Sequence, residues 1–399
     1  MRRDSKIRPF DNYKTAITDP EHFVGRTFLL DAVLARASAV NVLLGGRRIG
    51  KTSALRALEW TMLGSRPRAV RRPFPVYISL DVEQPTGLDN FRFILIRRLR
   101  DSMERWAKST GLDWRERYRS FLRQISGAEV AIGSLIKLKL ENPEQTRRLV
   151  HEDFRHALVN SLSHTRALGF EGVVFILDEA EYIVRKEWAN DAWSYIRGLK
   201  DTDTALKPLV GLVIAGYRDI AEYTQRVGSP LLNIAEVLWM STFSKAEHRQ
   251  LVTLRTNSEG IAIGQEEATA IELLSGGHPF IAQQVVNNVS DGSRIGLAGR
   301  RAEAIETLLT QSVLNRTFAL WWNLNDKSDG FKEAERQIYI ALAARQEAIS
   351  ASIARDTSRS VAEVATALEV LAGTGVINYL GDARYSIGSR LFEEWVRLH

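Results

Sequence analysis

The chain has 399 residues, of which 45% are hydrophobic and 26% are charged, and its formal net charge at pH 7 is +6. This is the composition of an ordinary globular protein with room for two or three domains. It contains no cysteine, which excludes disulfides, thiolate metal sites and cysteine nucleophiles. No apolar run approaches the ~20 residues of a membrane span, and residues 1–6 lack the apolar stretch of a signal peptide, so we expect a cytoplasmic protein that does not contact membranes.

The first half of the chain alternates predicted strands with predicted helices. Residues 1–20 are polar and predict an arm. A helix is expected over 28–37, and further helices over 91–106 and 153–169. Strands are predicted over 39–44, 74–80, 173–177, 209–215 and 236–240, and the alternating pattern of 128–140 predicts a hairpin or an edge strand. This order predicts an α/β fold, with a parallel sheet covered by helices on both faces.

A glycine-rich motif joins the first predicted strand to a helix. It fits the pattern G-x-x-x-x-G-K-[ST] and consists of Gly45, Gly46, Arg47, Arg48, Ile49, Gly50, Lys51 and Thr52, followed by Ser53. In such a loop backbone N–H groups surround phosphate oxygens, the lysine reaches the terminal phosphates, and the threonine hydroxyl binds Mg²⁺. The strand before the motif and the helix after it are the context that a phosphate loop requires.

A pair of carboxylates ends the apolar run 173–177. In a phosphate-loop enzyme the first, Asp178, holds Mg²⁺, usually through water, and the second, Glu179, orients or deprotonates the attacking water. Apolar strands that end in Asp-Glu also occur where the pair has no catalytic role. The pair therefore indicates a nucleotide site only in combination with the loop at 45–52. Together the two motifs predict a site for ATP or ADP with Mg²⁺.

The second half of the chain is predicted to be mainly helical. Helical spacing over 245–257, 266–274 and 280–289 predicts a subdomain from 244 to 325, and a polar linker follows at 323–330. Residues 331–399 have the pattern of a winged helix, with three helices, a hairpin of 376–380 and 384–387, and a closing helix. Ser360 is the predicted N-cap of the third helix. The predicted domains are therefore an arm (1–20), an α/β core (21–243), a helical lid (244–325) and a winged helix (331–399).

These motifs, in this order, resemble the archaeal-type ATPase family, within the STAND class of AAA-related P-loop NTPases. The resemblance spans about 20–399. The segment Phe23-Val24-Gly25-Arg26 resembles the family's hydrophobic-hydrophobic-Gly-Arg motif, which implies that Val24, Gly25 and Arg26 lie against the adenine. The resemblance also implies that Gly277-His278-Pro279 is the Gly-x-Pro element of a helical lid. We expect Pro279 to pack against the base and His278 to have a structural role.

The sequence departs from the family at two points. Thr27 replaces the usual glutamate after Gly-Arg, and Ala215-Gly216-Tyr217-Arg218 lacks the polar residue that often senses the γ-phosphate. Arg218 could sense it instead, with a surface arginine after a strand as the alternative. Two interpretations are also possible for Arg47 and Arg48. One of these arginines could contact phosphate or a neighbouring subunit, or both side chains could simply be solvated.

Two functions are consistent with this sequence. The resemblance favours a slow ATPase that acts as a molecular switch and controls the assembly of a homo-oligomer or the activity of a separate effector protein. Movement of the winged helix after 323–330 would signal the nucleotide state. The alternative is a DNA-acting AAA-type ATPase. The winged helix carries eight basic and nine acidic residues over 331–399, which argues against DNA reading there. DNA would then contact the basic N-terminal region or the basic and aromatic segment 97–123, for which we expect a macromolecular contact.

Overall fold

A computed structural model describes residues 15–64, 72–110, 143–201, 203–204, 206–227, 231–290, 301–310, 312–323 and 330–399. The chain divides into two units. Unit 1 comprises Met1–Thr27, Gly45–Ser53 and Trp239–His399, and unit 2 comprises Phe28–Leu44 and Ala54–Leu238. The phosphate loop thus groups with the C-terminal half of the chain, a division that differs from the predicted domain boundaries, which stay predictions. No helix in the described part of the chain is long and apolar enough to cross a membrane.

Unit 2 is built on a five-stranded sheet in the order β2-β3-β4-β1-β5. The strands are β1 (Val40–Leu44), β2 (Phe74–Ser79), β3 (Val173–Asp178), β4 (Val210–Gly216) and β5 (Glu236–Trp239). The pairs β2–β3, β3–β4 and β4–β1 are parallel. Strands β1, β3 and β4 are buried at every residue, as expected when helices cover both faces of a sheet. All five predicted strands are confirmed, with ends that shift by at most one residue.

Eight helices in the described part of the chain accompany this sheet. They are α1 (Thr27–Ala35), α2 (Lys51–Leu63), α3 (Leu80–Glu83), α4 (Leu88–Thr110), α5 (Pro143–Ala167), α6 (Glu181–Val184), α7 (Ala189–Asp201) and α8 (Arg218–Val227). The core between α2 and the sheet includes Leu55, Leu58, Tyr77 and Ile176. The predicted hairpin at 128–140 lies outside the described residues, as do residues 1–14 of the predicted arm and 324–329 of the predicted linker.

Only the first part of the basic segment 97–123 lies within the described residues, on α4. There Arg97 and Arg98 both form ion pairs with the buried carboxylate of Glu83. Trp106 is partly buried and packs edge-on against the buried rings of Phe74 and Phe170. The described part of the segment therefore adds no support for a macromolecular contact surface, which stays a prediction for the rest.

Unit 1 begins its C-terminal portion with five helices in the described residues. They are α9 (Lys245–Glu259), α10 (Gln265–Ser275), α11 (Pro279–Ser290), α12 (Arg301–Thr310) and α13 (Val313–Trp322). Ser244 and Glu247 form a reciprocal capping box at the start of α9, which fixes where this helix begins. Glycine in the left-handed region ends α9 and α10, at Gly260 and Gly276.

The C-terminal part of unit 1 combines four helices with a small sheet. The elements are α14 (Glu333–Arg345), β6 (Glu347–Ile349), α15 (Ser350–Thr357), α16 (Val361–Thr374), β7 (Ile377–Gly381), β8 (Arg384–Ile387) and α17 (Arg390–Leu398). The antiparallel sheet has the order β6-β8-β7. The predicted cap is confirmed, because Ser360 and Glu363 form a capping box on α16. Strand β6 was not predicted, because three residues are too few to show a period.

A cluster of aromatic side chains around Phe392 connects three helices of unit 1. The ring of Phe392 on α17 lies 5.2 Å from Phe318 on α13 and 5.2 Å from Tyr339 on α14, measured between centroids. Trp322 on α13 lies 6.0 Å from the same ring. This cluster, the "Phe392 cluster", spans the predicted boundary between lid and winged helix.

Candidate functional site

The glycine-rich loop starts where β1 ends, and α2 begins within it at Lys51. The Lys51 Nζ donates hydrogen bonds to the carbonyls of Gly45, at 2.6 Å, and of Gly46, at 3.0 Å. Gly50 has φ +101°, a conformation that favours glycine, and a Cβ placed there would meet no atom within 4 Å. The loop therefore combines an open side, a helix N-terminus and a lysine held across its glycines, which suits the binding of phosphate.

The end of α16 packs directly against this loop. The Gly46 N–H donates to the Gly373 carbonyl at 2.7 Å. A Cβ on Gly46 would lie 2.6 Å from the Cα of Thr374, so only glycine fits. Sequence reasoning assigned Gly46 to nucleotide binding, whereas the structure shows that its amide contacts the C-terminal part of unit 1.

The two arginines of the loop are exposed, and Arg48 contacts the predicted lid. Its guanidinium lies 4.7 Å from the centroid of the Phe280 ring, a cation–π contact, and its φ of 70° is unusual for a residue with a side chain. Partial desolvation of the guanidinium, and then the charge of Arg47, lower the pKa of Arg48. Phosphate contact by either arginine stays a prediction.

The Gly277-His278-Pro279 element begins α11. Pro279 occupies the first helical position, where a missing N–H costs nothing, and it is buried. The Nδ1 atom of the buried His278 accepts from the Phe280 N–H at 3.2 Å. Burial, and to a lesser extent the charge of Arg26, lower the pKa of His278 to about 3, so it is neutral at pH 7. The structural role expected for His278 is confirmed, and the contact of Pro279 with a base stays a prediction.

The Val24-Gly25-Arg26 motif is buried at Val24 and Arg26. Gly25 and Arg26 both have left-handed backbone conformations, with φ of 74° and 63°. The Arg26 side chain donates to the carbonyls of Ile49, in the loop, and of Ser241. The Arg26 side chain thus connects the phosphate loop to Ser241, and its expected contact with adenine stays a prediction.

The carboxyl end of β3 presents two carboxylates in different settings. Asp178 is buried, and its Oδ2 accepts from the Tyr77 hydroxyl at 2.8 Å while its Oδ1 accepts from the Glu179 N–H at 3.0 Å. Burial, and then the Asp178 charge, raise the pKa of Tyr77, so the phenol keeps its proton and donates. The Arg56 guanidinium lies 3.4 Å from the Tyr77 ring centroid. This bonding fixes the orientation of Asp178.

Glu179 is exposed and has φ 58°, in the left-handed region where glutamate is rare. Its Oε2 accepts from the Ser79 hydroxyl at 2.8 Å. Ser79 is the last residue of β2 and pairs in register with Asp178. A residue held in such a conformation at a strand end is a candidate for function, because the surrounding structure maintains the strain.

Arg218 follows β4, the strand that lies between β1 and β3. It is 2% exposed, which excludes the alternative of a surface arginine. Parallel strands present their carboxyl ends at one edge of a sheet, where ligands of α/β proteins bind. Arg218 and the Asp178-Glu179 pair therefore lie at the carboxyl edge of the same sheet, after the neighbouring strands β4 and β3.

Sequence reasoning missed Tyr77 and Ser79. Both lie at the carboxyl end of a buried strand, and a hydroxyl in that position is a usable signal. What the sequence could not show is that β2 neighbours β3, since the two strands are about 100 residues apart in the chain and only the sheet order brings them together.

The Ser79–Glu179 hydrogen bond predicts the effect of Ser79→Ala. If Glu179 serves a water molecule, loss of the bond frees Oε2, so we expect the ATPase rate without partners to rise by up to about tenfold, from a bond to a charged group worth ~1.5 kcal/mol. A steady-state ATPase assay checks this. A rate equal to or below that of wild type would show that the bond supports Glu179 in its working position.

The residues present fit a nucleotide with a magnesium ion. The loop offers Lys51 and backbone amides for phosphate, and the Thr52 hydroxyl and the Asp178 carboxylate are oxygen ligands of the kind that Mg²⁺ prefers. An ionised carboxylate has about four lone-pair sites, so the two bonds that Asp178 accepts leave room for a metal-bound water. The Ser53 hydroxyl already accepts a hydrogen bond from the Ile17 N–H, at 2.9 Å.

Comparison with known proteins supports the fold. No protein-family model and no curated protein matches this sequence. The Walker-type ATPase PABY2304 of Pyrococcus abyssi is similar in structure, with a TM-score of 0.57 and 17% identity over 96% of this chain and 98% of that one. The ORC2 protein of Aeropyrum pernix, solved as ADPNP–ADP complexes, gives a TM-score of 0.45 and 12% identity over 96% of this chain and 97% of that one. The first similarity shows that this chain has the α/β fold of a Walker-type ATPase.

Proposed function

We propose that the chain is a Mg²⁺-dependent ATPase that acts as a slow molecular switch of the STAND class. The observation that carries the proposal is the arrangement of the sheet edge. Strand β1 runs into the phosphate loop, its neighbour β4 is followed by Arg218, and the next strand, β3, ends in Asp178, which Glu179 follows. Each residue type that phosphoryl transfer to water requires is present in that order.

In this proposal each residue has a distinct role. Lys51 and the amides of Gly50 and Thr52 bind the β- and γ-phosphates, and Thr52 and Asp178 hold Mg²⁺, which neutralises charge on the phosphate oxygens when bound. Glu179 orients the attacking water and takes its proton, and Arg218 binds the γ-phosphate. Val24, Gly25 and Pro279 are proposed to contact the adenine.

The contact between Gly46 and the end of α16 supports the role as a switch. The amide of a loop residue donates to a carbonyl of α16, so a change in the loop on nucleotide binding would be felt by the C-terminal part of unit 1. We propose that residues 331–399 are a winged helix and that they report the nucleotide state to a second copy of the chain or to a separate effector protein.

The DNA-acting alternative gains little from the described residues. The exposed face of α16, which would read DNA in a winged helix, bears Glu363 and Glu369 and no basic residue. On α4, Arg100 pairs with Asp101, in addition to the two pairs at Glu83. Measuring the mass of the nucleotide-free, ADP and ATP-analogue forms, with and without duplex DNA, separates the two functions.

Calorimetric titration of ADP and a non-hydrolysable ATP analogue tests the proposed site. Lys51→Ala should weaken the binding of both by about 10–100-fold, because it removes a charged donor worth ~1.5–3 kcal/mol. Arg218→Ala should leave the affinity for ADP near that of wild type and lower the affinity for the analogue. Lys108→Ala, an exposed lysine on α4, is the control for a lost charge.

Two outcomes would contradict these assignments. Equal affinities of Lys51→Ala and wild type for both nucleotides would rule out the phosphate loop as the binding site. Equal affinities of Arg218→Ala and wild type for the ATP analogue, with equal hydrolysis of ATP, would remove Arg218 from the site while leaving the loop in place.

A further inference from the structure

Arg26 makes contacts that its resemblance to an adenine-binding motif does not explain. Its Nη2 donates to the buried carbonyl of Ile49 at 3.0 Å, and its Nη1 donates to the carbonyl of Ser241 at 2.5 Å. The guanidinium also lies 4.7 Å from the centroid of the Phe243 ring. Only 8% of Arg26 is exposed. The side chain therefore joins the phosphate loop to the segment that precedes α9.

The backbone of this motif is fixed as firmly as the side chain. The Arg26 N–H donates to Glu247 Oε1 at 2.5 Å, and the other oxygen of the same carboxylate accepts from the backbone and hydroxyl of Ser244. A Cβ on Gly25 would lie 2.8 Å from Glu247 Oε1. The carboxylate that caps α9 thus also anchors Arg26, so the position of the guanidinium is set by the first helix of the predicted lid.

The charge of Arg26 is maintained in this setting. Burial lowers its pKa to about 10, and the charge of Glu247 opposes the decrease, so the guanidinium is protonated at neutral pH. Both acceptors of the side chain are neutral carbonyls. A planar guanidinium donates in two fixed directions at once, which a lysine ammonium on a flexible stem does not reproduce.

The bond to Ile49 has a consequence on the opposite side of the same peptide. The peptide group between Ile49 and Gly50 is planar and trans, so its N–H points away from its C=O. Holding the Ile49 carbonyl against Arg26 therefore directs the Gly50 N–H to the other side of the loop. Space around Gly50 is also open in the direction that a side chain would take, since a Cβ there would meet nothing within 4 Å. A cation on the carbonyl also polarises the peptide and strengthens its N–H as a donor.

We propose that Arg26 is a positioning residue for phosphate binding, which orients and polarises the Gly50 amide through the Ile49 carbonyl. The inference rests on the proposed function, because it takes the Gly50 amide to be a phosphate ligand. It assigns to Arg26 a role toward phosphate in place of one toward adenine, and it makes the affinity for phosphate depend on the lid through Glu247.

The test compares Arg26→Lys with wild type, using full-length protein labelled with ¹⁵N-glycine. Without nucleotide, the Gly50 amide proton should resonate at lower frequency in Arg26→Lys, because the lysine ammonium does not hold the Ile49 carbonyl in the fixed geometry of the guanidinium. The affinities for ADP and for inorganic pyrophosphate should both fall by about 10–100-fold, the effect expected for a bond to a charged group. Arg345→Lys, which alters an exposed ion pair with Asp356, should leave the resonance and both affinities unchanged.

Each result decides the proposal. Loss of ADP affinity with unchanged pyrophosphate affinity would overturn the proposal and favour a contact of Arg26 with adenine. An unchanged Gly50 resonance would also overturn the proposal. A wild-type chain that binds neither ADP nor pyrophosphate would refute the proposed function, and the Gly50 resonance would still show whether Arg26 acts on that amide. If Arg26→Lys does not fold, Arg26→Gln retains one donor for the Ile49 carbonyl and should weaken pyrophosphate binding in the same direction.

Discussion

Glu179→Gln is expected to lower the rate of ATP hydrolysis by about 10²–10⁴-fold, the usual contribution of a positioned acid–base group. Glutamine keeps the size of the side chain and accepts a hydrogen bond from Ser79 through its amide oxygen, but it takes no proton from water at neutral pH. Because the Lys51 loop is untouched, the affinity for ATP should stay within about threefold of wild type.

A single-turnover measurement with radiolabelled ATP separates hydrolysis from binding and from product release. The control is Glu187→Gln, an exposed glutamate between α6 and α7, which should hydrolyse ATP at the wild-type rate. Equal rates for Glu179→Gln and wild type would show that another group activates the water, and Asp178 and Arg218 would then be the residues to examine.

Combining this change with Ser79→Ala links the two results. If Ser79 restrains Glu179, the rise in rate caused by Ser79→Ala should vanish in the Glu179→Gln chain, since the restrained group no longer acts as a base. Two residues joined by one hydrogen bond are expected to show such non-additive effects. An equal rise in both backgrounds would place the effect of Ser79 elsewhere.

Local patterns were enough to predict the strands and the two motifs. The run 173–177 is apolar at every residue because β3 is buried on both faces, and the loop at 45–52 has the glycine and lysine spacing that phosphate binding requires. The cap at Ser360 is likewise a local signal, since Glu363 lies three residues further on. In each of these cases the chemistry and the residues that produce it are neighbours in the chain.

The features that sequence reasoning missed depend on contacts between distant segments. Glu247 anchors Arg26 from 221 residues away, and Tyr77 reaches Asp178 from 101 residues away. The positions of Glu247 and Tyr77 in the sequence follow no spacing that would indicate their partners. The conformation of Glu179 is a further example, because no local pattern in the sequence indicates its φ of 58°.

The Phe392 cluster bears on the expected movement of residues 331–399 after the linker at 323–330. Phe318 and Trp322 precede that linker and pack against Phe392, which follows it. A swing about the linker would expose these rings to water, at roughly 25 cal/mol for each Å² of apolar surface. The Ser389 hydroxyl also donates to the Leu274 carbonyl at 2.8 Å in a buried setting. We therefore expect α9–α17 to respond to nucleotide as one body.

Phe392→Ala tests this expectation through stability. The side chain is fully buried, and truncation of such a phenylalanine costs about 3–5 kcal/mol, a large part of the ~5–15 kcal/mol that folds a typical domain. If the predicted lid and the C-terminal part share one core, the loss should appear in both. Hydrogen exchange followed by mass spectrometry should then show faster exchange in α10 and α11 as well as in α14 and α17. Leu398→Ala, an exposed residue on the same helix, should change neither. Faster exchange confined to α14–α17 would show that residues 331–399 unfold independently, and separate movement of these residues would become the better account of how the C-terminal part responds to nucleotide.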